Sequence, residues 1–326
     1  MNILVTGGRG FIGHHVVHRL CEQGHCVTVL DSGTDYGFIP NSELLYLSTE
    51  RLYHITSQKN VPWTINIDIR FGGDIRELFN RVSPTVVIHL ASFPRQKVVE
   101  KSPSIASEVM STGLINLLET SKISKIDRFV YVSSSMVYGD FTDGVKEDTI
   151  CNPIGQYGIM KYMGEQLTRD YSRRKCFDHV IVRPSAVYGE RDVEDRVVSK
   201  FLLAALRGET LNVYGASEEL DFTHVDDIAQ GIVLAATSTN AANKTYNMTR
   251  SKAHTLWAAA ELATIIAKNG GKINIHDKNL SFPSRGRLDI TAAQNDLGFN
   301  PNIDIEEGFT RYANWLTNSK YWNTRI

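Results

Sequence analysis

The stretch "QYGIMKYMGEQL" sets Tyr157 and Lys161 four residues apart. On a helix that spacing brings both side chains to one face. A phenol is a poor base at neutral pH, but a neighbouring ammonium favours its ionised form and lowers its pKa. A tyrosine tuned in this way can take the proton of an alcohol or sugar hydroxyl while hydride leaves the same carbon. A second candidate is the serine cluster of "RFVYVSSSMVYGD". The apolar run predicts a strand, so Ser134 and its neighbours fall at the strand's carboxyl end. Ser134 could there hydrogen-bond a reacting oxygen and stabilise charge as a carbonyl forms. Each feature alone has an ordinary explanation. A Tyr–Lys pair can decorate a surface helix, and hydroxyls can cap backbone groups in a turn.

The elements upstream give the pair its context. "NILVTGGRGFIGHH" places Gly7, Gly10 and Gly13 between a predicted strand and a predicted helix, with Phe11 and Ile12 in the same binding stretch. Glycines so placed allow a tight turn, close approach of a pyrophosphate and close helix–strand packing. The helix N-terminus then offers free N–H groups to the phosphates. The next strand, "CVTVLD", ends on Asp31, where a carboxylate accepts ribose hydroxyls and repels a 2′-phosphate. That favours NAD over NADP, and the cationic ring of NAD would add to the effect of Lys161 on Tyr157. "GGDI" follows the third predicted strand, so Asp74 and Ile75 could face the adenine. Asp74 as a helix N-cap is an equally sensible reading. "HLASF" puts Ala91 and Ser92 at the carboxyl end of the fourth strand, the edge at which open α/β sheets bind ligands.

"NILV", "CVTVL", "TVVIHL", "RFVYV" and "HVIVR" are continuous apolar runs of strand length, separated by helical stretches. They predict an α/β protein with a parallel, doubly wound sheet. Ser32 to Trp63 reads as an irregular excursion or short helix. The expected division is a dinucleotide-binding domain over 1–183, carrying the catalytic residues, and a smaller substrate-binding region over 184–326, interleaved with the last strands of the first. The 326 residues carry a net charge of −1, and no basic field points to nucleic acid or membrane. No apolar run is long enough to span a bilayer. Four cysteines without metal or redox spacing predict reduced thiols in a cytoplasmic protein. His224, Asp226 and Asp227 read as a helix start, with acids suited to the positive end and no metal. His14 and His15 read as early-helix residues with no ligand role.

Taken together, "TGGRGFIG", "GGDI", "HLAS", "SSSMVYG", "YGIMK", "RPSAVYGER", "DFTHVDDIAQGI" and "DITAAQNDLGF" resemble the extended short-chain dehydrogenase/reductases. Within them the similarity is to the NAD-dependent nucleotide-sugar epimerase/dehydratase group, of the UDP-glucose 4-epimerase type. The resemblance implies a Rossmann-type N-terminal domain and a small mixed α/β C-terminal domain for a nucleoside-diphosphate sugar. It implies NAD retained through the cycle and a homodimer built on a helical bundle. It places the catalytic roles on Ser134, Tyr157 and Lys161, and contacts near the nicotinamide on Pro184, Ser185 and Val187.

The 4,6-dehydratases of the group carry an Asp–Glu pair where this chain has Ser135 and Met136. A thioether and a hydroxyl cannot supply the ionising groups that elimination needs. Oxidation and re-reduction at one carbon needs no such pair, and that is 4-epimerase chemistry. Ser134, Ser135 and Met136 are thus expected to border the sugar. Leu220 replaces the group's phosphate-binding arginine and cannot make charge-assisted bonds. Arg191, Arg196, Arg285 and Arg287 are left as candidates, with Arg191 and Arg287 expected at the substrate. Met110 replaces an asparagine, and Pro94 lies where some relatives present a lysine. The alternatives are a one-way dehydrogenase or ketoreductase, a dehydratase, and a non-catalytic NAD-binding protein.

Overall fold

The computed structural model describes residues 1–268, 271–280 and 282–319. The apolar runs pair into one seven-stranded parallel sheet. Its first strands and helices are β1 (Asn2–Thr6), α1 (Phe11–Glu22), β2 (Cys26–Asp31), α2 (Asn41–Thr56), β3 (Trp63–Asn66), α3 (Gly72–Val82) and β4 (Val86–His89). There follow α4 (Gln96–Lys101), α5 (Pro103–Ser107), α6 (Leu114–Ile123), β5 (Arg128–Val132), α7 (Gln156–Arg173) and β6 (Asp178–Pro184). The last third holds β7 (Val187–Tyr188), α8 (Val197–Leu206), β8 (Leu211–Tyr214), β9 (Glu219–Leu220), β10 (Thr223–His224), α9 (Val225–Thr237) and β11 (Lys244–Met248). It ends with β12 (His254–Thr255), α10 (Leu256–Ala267), β13 (Ile273–His276), α11 (Thr291–Leu297) and α12 (Ile305–Asn318).

The sheet order is β11-β6-β5-β4-β1-β2-β3. Alternation along β1 shows why both faces are covered. Ile3 and Val5 join the core under α1 and α9, while Leu4 joins the core under α3 and α6. Since β4 turns back to the far side of β1, the chain changes direction between them. A crevice opens there at the strands' carboxyl ends, and ligands of open α/β sheets bind in such crevices. A further core gathers Phe201, Leu202, Ala259, Ala260, Phe309 and Tyr312 from α8, α10 and α12, next to the pair β8–β13. No helix among the described residues is long and apolar enough to cross a membrane.

Of the excursion or short helix expected at Ser32–Trp63, the structure has a helix, α2, of sixteen residues. Its buried stripe is Glu43, Leu47, Arg51 and Ile55, spaced four apart, and two of these carry charge. A half-polar stripe has little hydrophobic periodicity, so the sequence pattern did not fix its length or its buried face. Met110 lies buried in a π-type turn, Glu108–Gly113, and belongs to the core rather than to any cleft.

Candidate active site

The glycines meet the crevice as close-packed backbone. Gly7 has φ +71°, and a Cβ there would lie 2.6 Å from the Ala91 nitrogen. A Cβ on Gly13 would lie 2.1 Å from the Gly7 carbonyl oxygen. The helix α1 starts from Gly10 with neither a side-chain cap nor an acid in its first turn, so its N–H groups stay available. Asp31 is held by the Arg9 and Gly33 N–H groups, each at 2.9 Å. Gly7, Gly10, Asp31, Ala91 and Ser92 line one groove. These are the features a dinucleotide needs: a cradle that a Cβ would fill, a helix N-terminus and a ribose-side carboxylate. Gly13→Ala should therefore drive helix and strand apart. We expect loss of bound cofactor and about 1–3 kcal/mol of stability, checked by cofactor content and thermal unfolding.

Asp74 and Ile75 do not reach this groove. Strand β3 ends at Asn66, and "GGDI" opens α3 beyond it. Asp74 is exposed, and Ile75 is fully buried in the core. The groove wall on that side is made by Ile67 and Ile69. The same Asp–Ile dipeptide occurs earlier as Asp68–Ile69, and its position just after β3 was the signal to follow.

Helix α7 carries Tyr157, Lys161 and Glu165 at four-residue intervals. Its start is fastened by Gln96, whose Oε1 accepts the Tyr157 N–H at 3.0 Å. Ser134, two residues past the end of β5, caps the short 3₁₀ turn Ser135–Tyr138 by accepting the Met136 N–H at 3.2 Å. Glu165 is fully buried and receives Arg183 Nε at 2.9 Å, Arg183 Nη2 at 2.7 Å, Ser133 Oγ at 2.6 Å and Arg169 Nη1 at 3.0 Å. This network ties the helix bearing Tyr157 to Ser133, just past β5, and to Arg183 on β6.

The electrostatics differ from the sequence expectation. The Lys161 Nζ lies 5.9 Å from the Tyr157 ring centre and donates to the Val132 carbonyl at 2.8 Å. Burial lowers the Lys161 ammonium to about 7, with Glu165 acting in the opposite sense. Burial raises the Tyr157 phenol, while the Arg196 charge and a hydrogen bond with Ser134 pull it down. In this structure the Arg196 charge and the Ser134 hydroxyl are the groups that favour the phenolate. The Lys161 shift also has a sign for stability. The folded state holds its proton less tightly than the unfolded chain, whose lysine sits at its ordinary 10.5. Unfolding therefore takes up a proton between about pH 7 and 10.5, and this group makes stability rise with pH across that window. Lys161→Met should flatten that rise in unfolding free energy measured from pH 7 to 10.

Ser134, Ser135, Met136, Tyr157, Lys161, Pro184, Ser185 and Val187 line a cleft of about 1220 Å³ that continues from Gly10, Phe11, Ile12 and Gly13. Ser135 donates to Ser185 Oγ at 3.1 Å, and Met136 is 7% exposed. Arg196, Leu220 and Arg285 line the same cleft. Burial lowers Arg285 to about 10, and its Nε is buried without a hydrogen-bond partner. Arg191 and Arg287, both expected at the substrate, are not in the cleft wall. Arg191 turns away at φ +68° with its carbonyl accepting from Arg51. Arg287 packs on Asp143 and Gly144. Spacing alone could not choose among four arginines in loops. Gln96 carried no sequence signal, whereas Glu165 extends the Tyr157–Lys161 stripe by one more turn.

Residues 3–249 match the model of the NAD dependent epimerase/dehydratase family. A protein of Methanocaldococcus jannaschii with the provisional name UDP-glucose 4-epimerase is 32% identical over 97% of this chain and 99% of its own length. Among solved structures, UDP-glucuronic acid 4-epimerase from Bacillus cereus, in complex with UDP-glucuronic acid and NAD, superposes with a TM-score of 0.89. It is 26% identical, over 97% of this chain and 99% of its own. UDP-glucose 4-epimerase from Thermotoga maritima, with UDP-glucose, gives a TM-score of 0.87 at 26% identity over 98% and 100% of the two chains.

Proposed function

Because this chain belongs to the NAD dependent epimerase/dehydratase family, we propose that it inverts carbon 4 of a UDP-sugar by transient oxidation to a ketosugar and re-reduction. The cofactor is NAD, and the reaction class is epimerisation of a nucleotide-sugar. NAD, when bound, supplies the hydride acceptor for the oxidation and the donor for the return. The chain's own residues handle the proton and the sugar. Tyr157 takes the proton of the reacting hydroxyl and gives it back, with Ser134 hydrogen-bonded at the same oxygen. Lys161, fixed on the Val132 carbonyl, positions the face of α7 that carries Tyr157. Ser135, Met136, Pro184 and Val187 border the sugar and the nicotinamide. Arg285, with its unpartnered Nε, and Arg196 hold the diphosphate in place of the arginine missing at Leu220.

One observation carries the choice of epimerisation over elimination. The wall between Ser134 and Gly139 offers no acid beside Tyr157. Ser135 is spent on Ser185, Met136 has no proton to give, and Tyr138 is engaged by Asn247 and Arg183. Removal of a carbon-bound proton needs a base that ionises near neutral pH, and none stands there. Turnover with no added cofactor tests this reading. Consumption of cofactor mole for mole with product would replace it with a one-way dehydrogenase or ketoreductase.

Asp31 sets the cofactor preference in this account. Arg9 stands beside it, with Nη1 on Asn66 Oδ1 at 2.7 Å. Asp31→Ser should remove the repulsion of a 2′-phosphate and leave Arg9 to receive it, so the NADP-to-NAD affinity ratio should rise about tenfold or more. The enzyme works as a cytoplasmic homodimer in this reading. Exposed Ile105, Ile115 and Ile159 on α5, α6 and α7 suit a helical interface.

A further inference from the structure

Where the first turns of α1 meet α2, three histidines converge. His14 and His15 on α1 and His54 on α2 each bring one ring nitrogen into a group whose members all lie within 4.8 Å of one another. His14 is fully buried and His15 is 5% exposed. His14 Nε2, His15 Nε2 and His54 Nδ1 are buried without a hydrogen-bond partner. Three unmet ring nitrogens at one point are costly unless something shared satisfies them.

The partners of the other ring nitrogens define the tautomers. His14 Nδ1 lies 3.0 Å from the Gly10 carbonyl, which can only accept. His15 Nδ1 lies 2.9 Å from Asp226 Oδ1. Both rings thus carry hydrogen on Nδ1 and aim the Nε2 lone pair at the common point. A carbonyl and a carboxylate behind the imidazoles form the outer shell that orients metal-bound histidines. We propose that His14, His15 and His54 form a binding site for a divalent transition-metal ion, zinc foremost. Neutral imidazoles without thiolates suit zinc, copper or nickel. Burial pushes the pKa of all three rings down, and the Arg191 charge acts the same way. Asp226 and Glu190 offset Arg51 and Arg191 around the group. Metal–nitrogen bonds of about 2.0 Å need ligand atoms about 3.3 Å apart at the tetrahedral angle, so the rings must draw inward. A bound ion would clamp α2 to the helix whose first turn receives the cofactor phosphates.

The test uses untagged full-length protein carrying its NAD, stripped with EDTA and dialysed against zinc. Metal analysis should find close to one zinc per chain, and cobalt in its place should give the visible bands of a tetrahedral site. Zinc should raise the unfolding temperature of the wild type. His54→Gln, at a partly exposed position that spares the fold, should lower zinc affinity at least about tenfold and remove the thermal shift. His14→Gln should do the same. His25→Gln, beside the N-terminus, should bind as the wild type does. Substoichiometric zinc, wild-type affinity in His54→Gln and His14→Gln, or loss of the ion in His25→Gln would each overturn the site.

Discussion

Tyr157→Phe should lower turnover by about 10²- to 10⁴-fold, the usual worth of a positioned proton-transfer group, while NAD stays bound. The ring is kept, so the packing of α7 and the Gln96 bond to the Tyr157 backbone are untouched. What goes is the one hydroxyl that can exchange a proton with the sugar. Steady-state turnover with cofactor content measured on the same sample checks this. Undiminished turnover would remove Tyr157 from the mechanism. Ser134→Ala should have a smaller effect, because it deletes a hydrogen bond to the phenol and leaves the base in place.

Glu165→Ala should produce the largest loss of stability, about 3–5 kcal/mol, since it strands a buried guanidinium. Arg183 is 2% exposed, and two of its nitrogens are committed to Glu165. Ser133 and Arg169 lose their acceptor as well. Arg183 keeps its bonds to Tyr138 and the Glu147 carbonyl, neither of which carries charge to match it. Urea unfolding of Glu165→Ala, Arg183→Leu and the double variant closes the cycle. The double variant should be less destabilised than the two single losses added together, because the uncompensated charge is gone. Strict additivity would show that the pair does not act as a unit.

The sheet and the phosphate loop were legible because their causes are local. β-Branched runs buried on both faces, and glycines with no room for a Cβ, leave marks within a few residues. Tyr157, Lys161 and Ser134 were legible for the same reason: a helical interval and a strand end suffice to bring them to one edge. Helix α2 was not, because its buried stripe uses Glu43 and Arg51, whose partners lie far away in sequence: Glu43 Oε1 accepts the Glu194 N–H, and Arg51 donates to the Arg191 carbonyl. The arginines at the substrate were not either, since a loop residue's direction depends on its backbone turn. Arg191 shows this, carried out of the cleft wall by a positive φ. Asp74–Ile75 and Asp68–Ile69 are the same dipeptide six residues apart, and only the end of β3 distinguishes them. The role given to the Lys161 charge depended on a desolvation that no spacing reveals. The three histidines illustrate the limit most plainly: two are neighbours in sequence, and the third arrives on α2, whose half-polar stripe did not fix its length or its buried face.

The central claim is inversion at one carbon without elimination, and reaction in deuterium oxide tests it most directly. Purified protein without added cofactor is incubated with a panel of UDP-sugars, and the products are read by proton NMR. The account predicts the C4 epimer of one substrate, with no solvent deuterium at carbon 4 or carbon 5, because the hydrogen leaving carbon 4 returns without exchanging with water. A 4-keto-6-deoxy product, or deuterium at carbon 5, would contradict it.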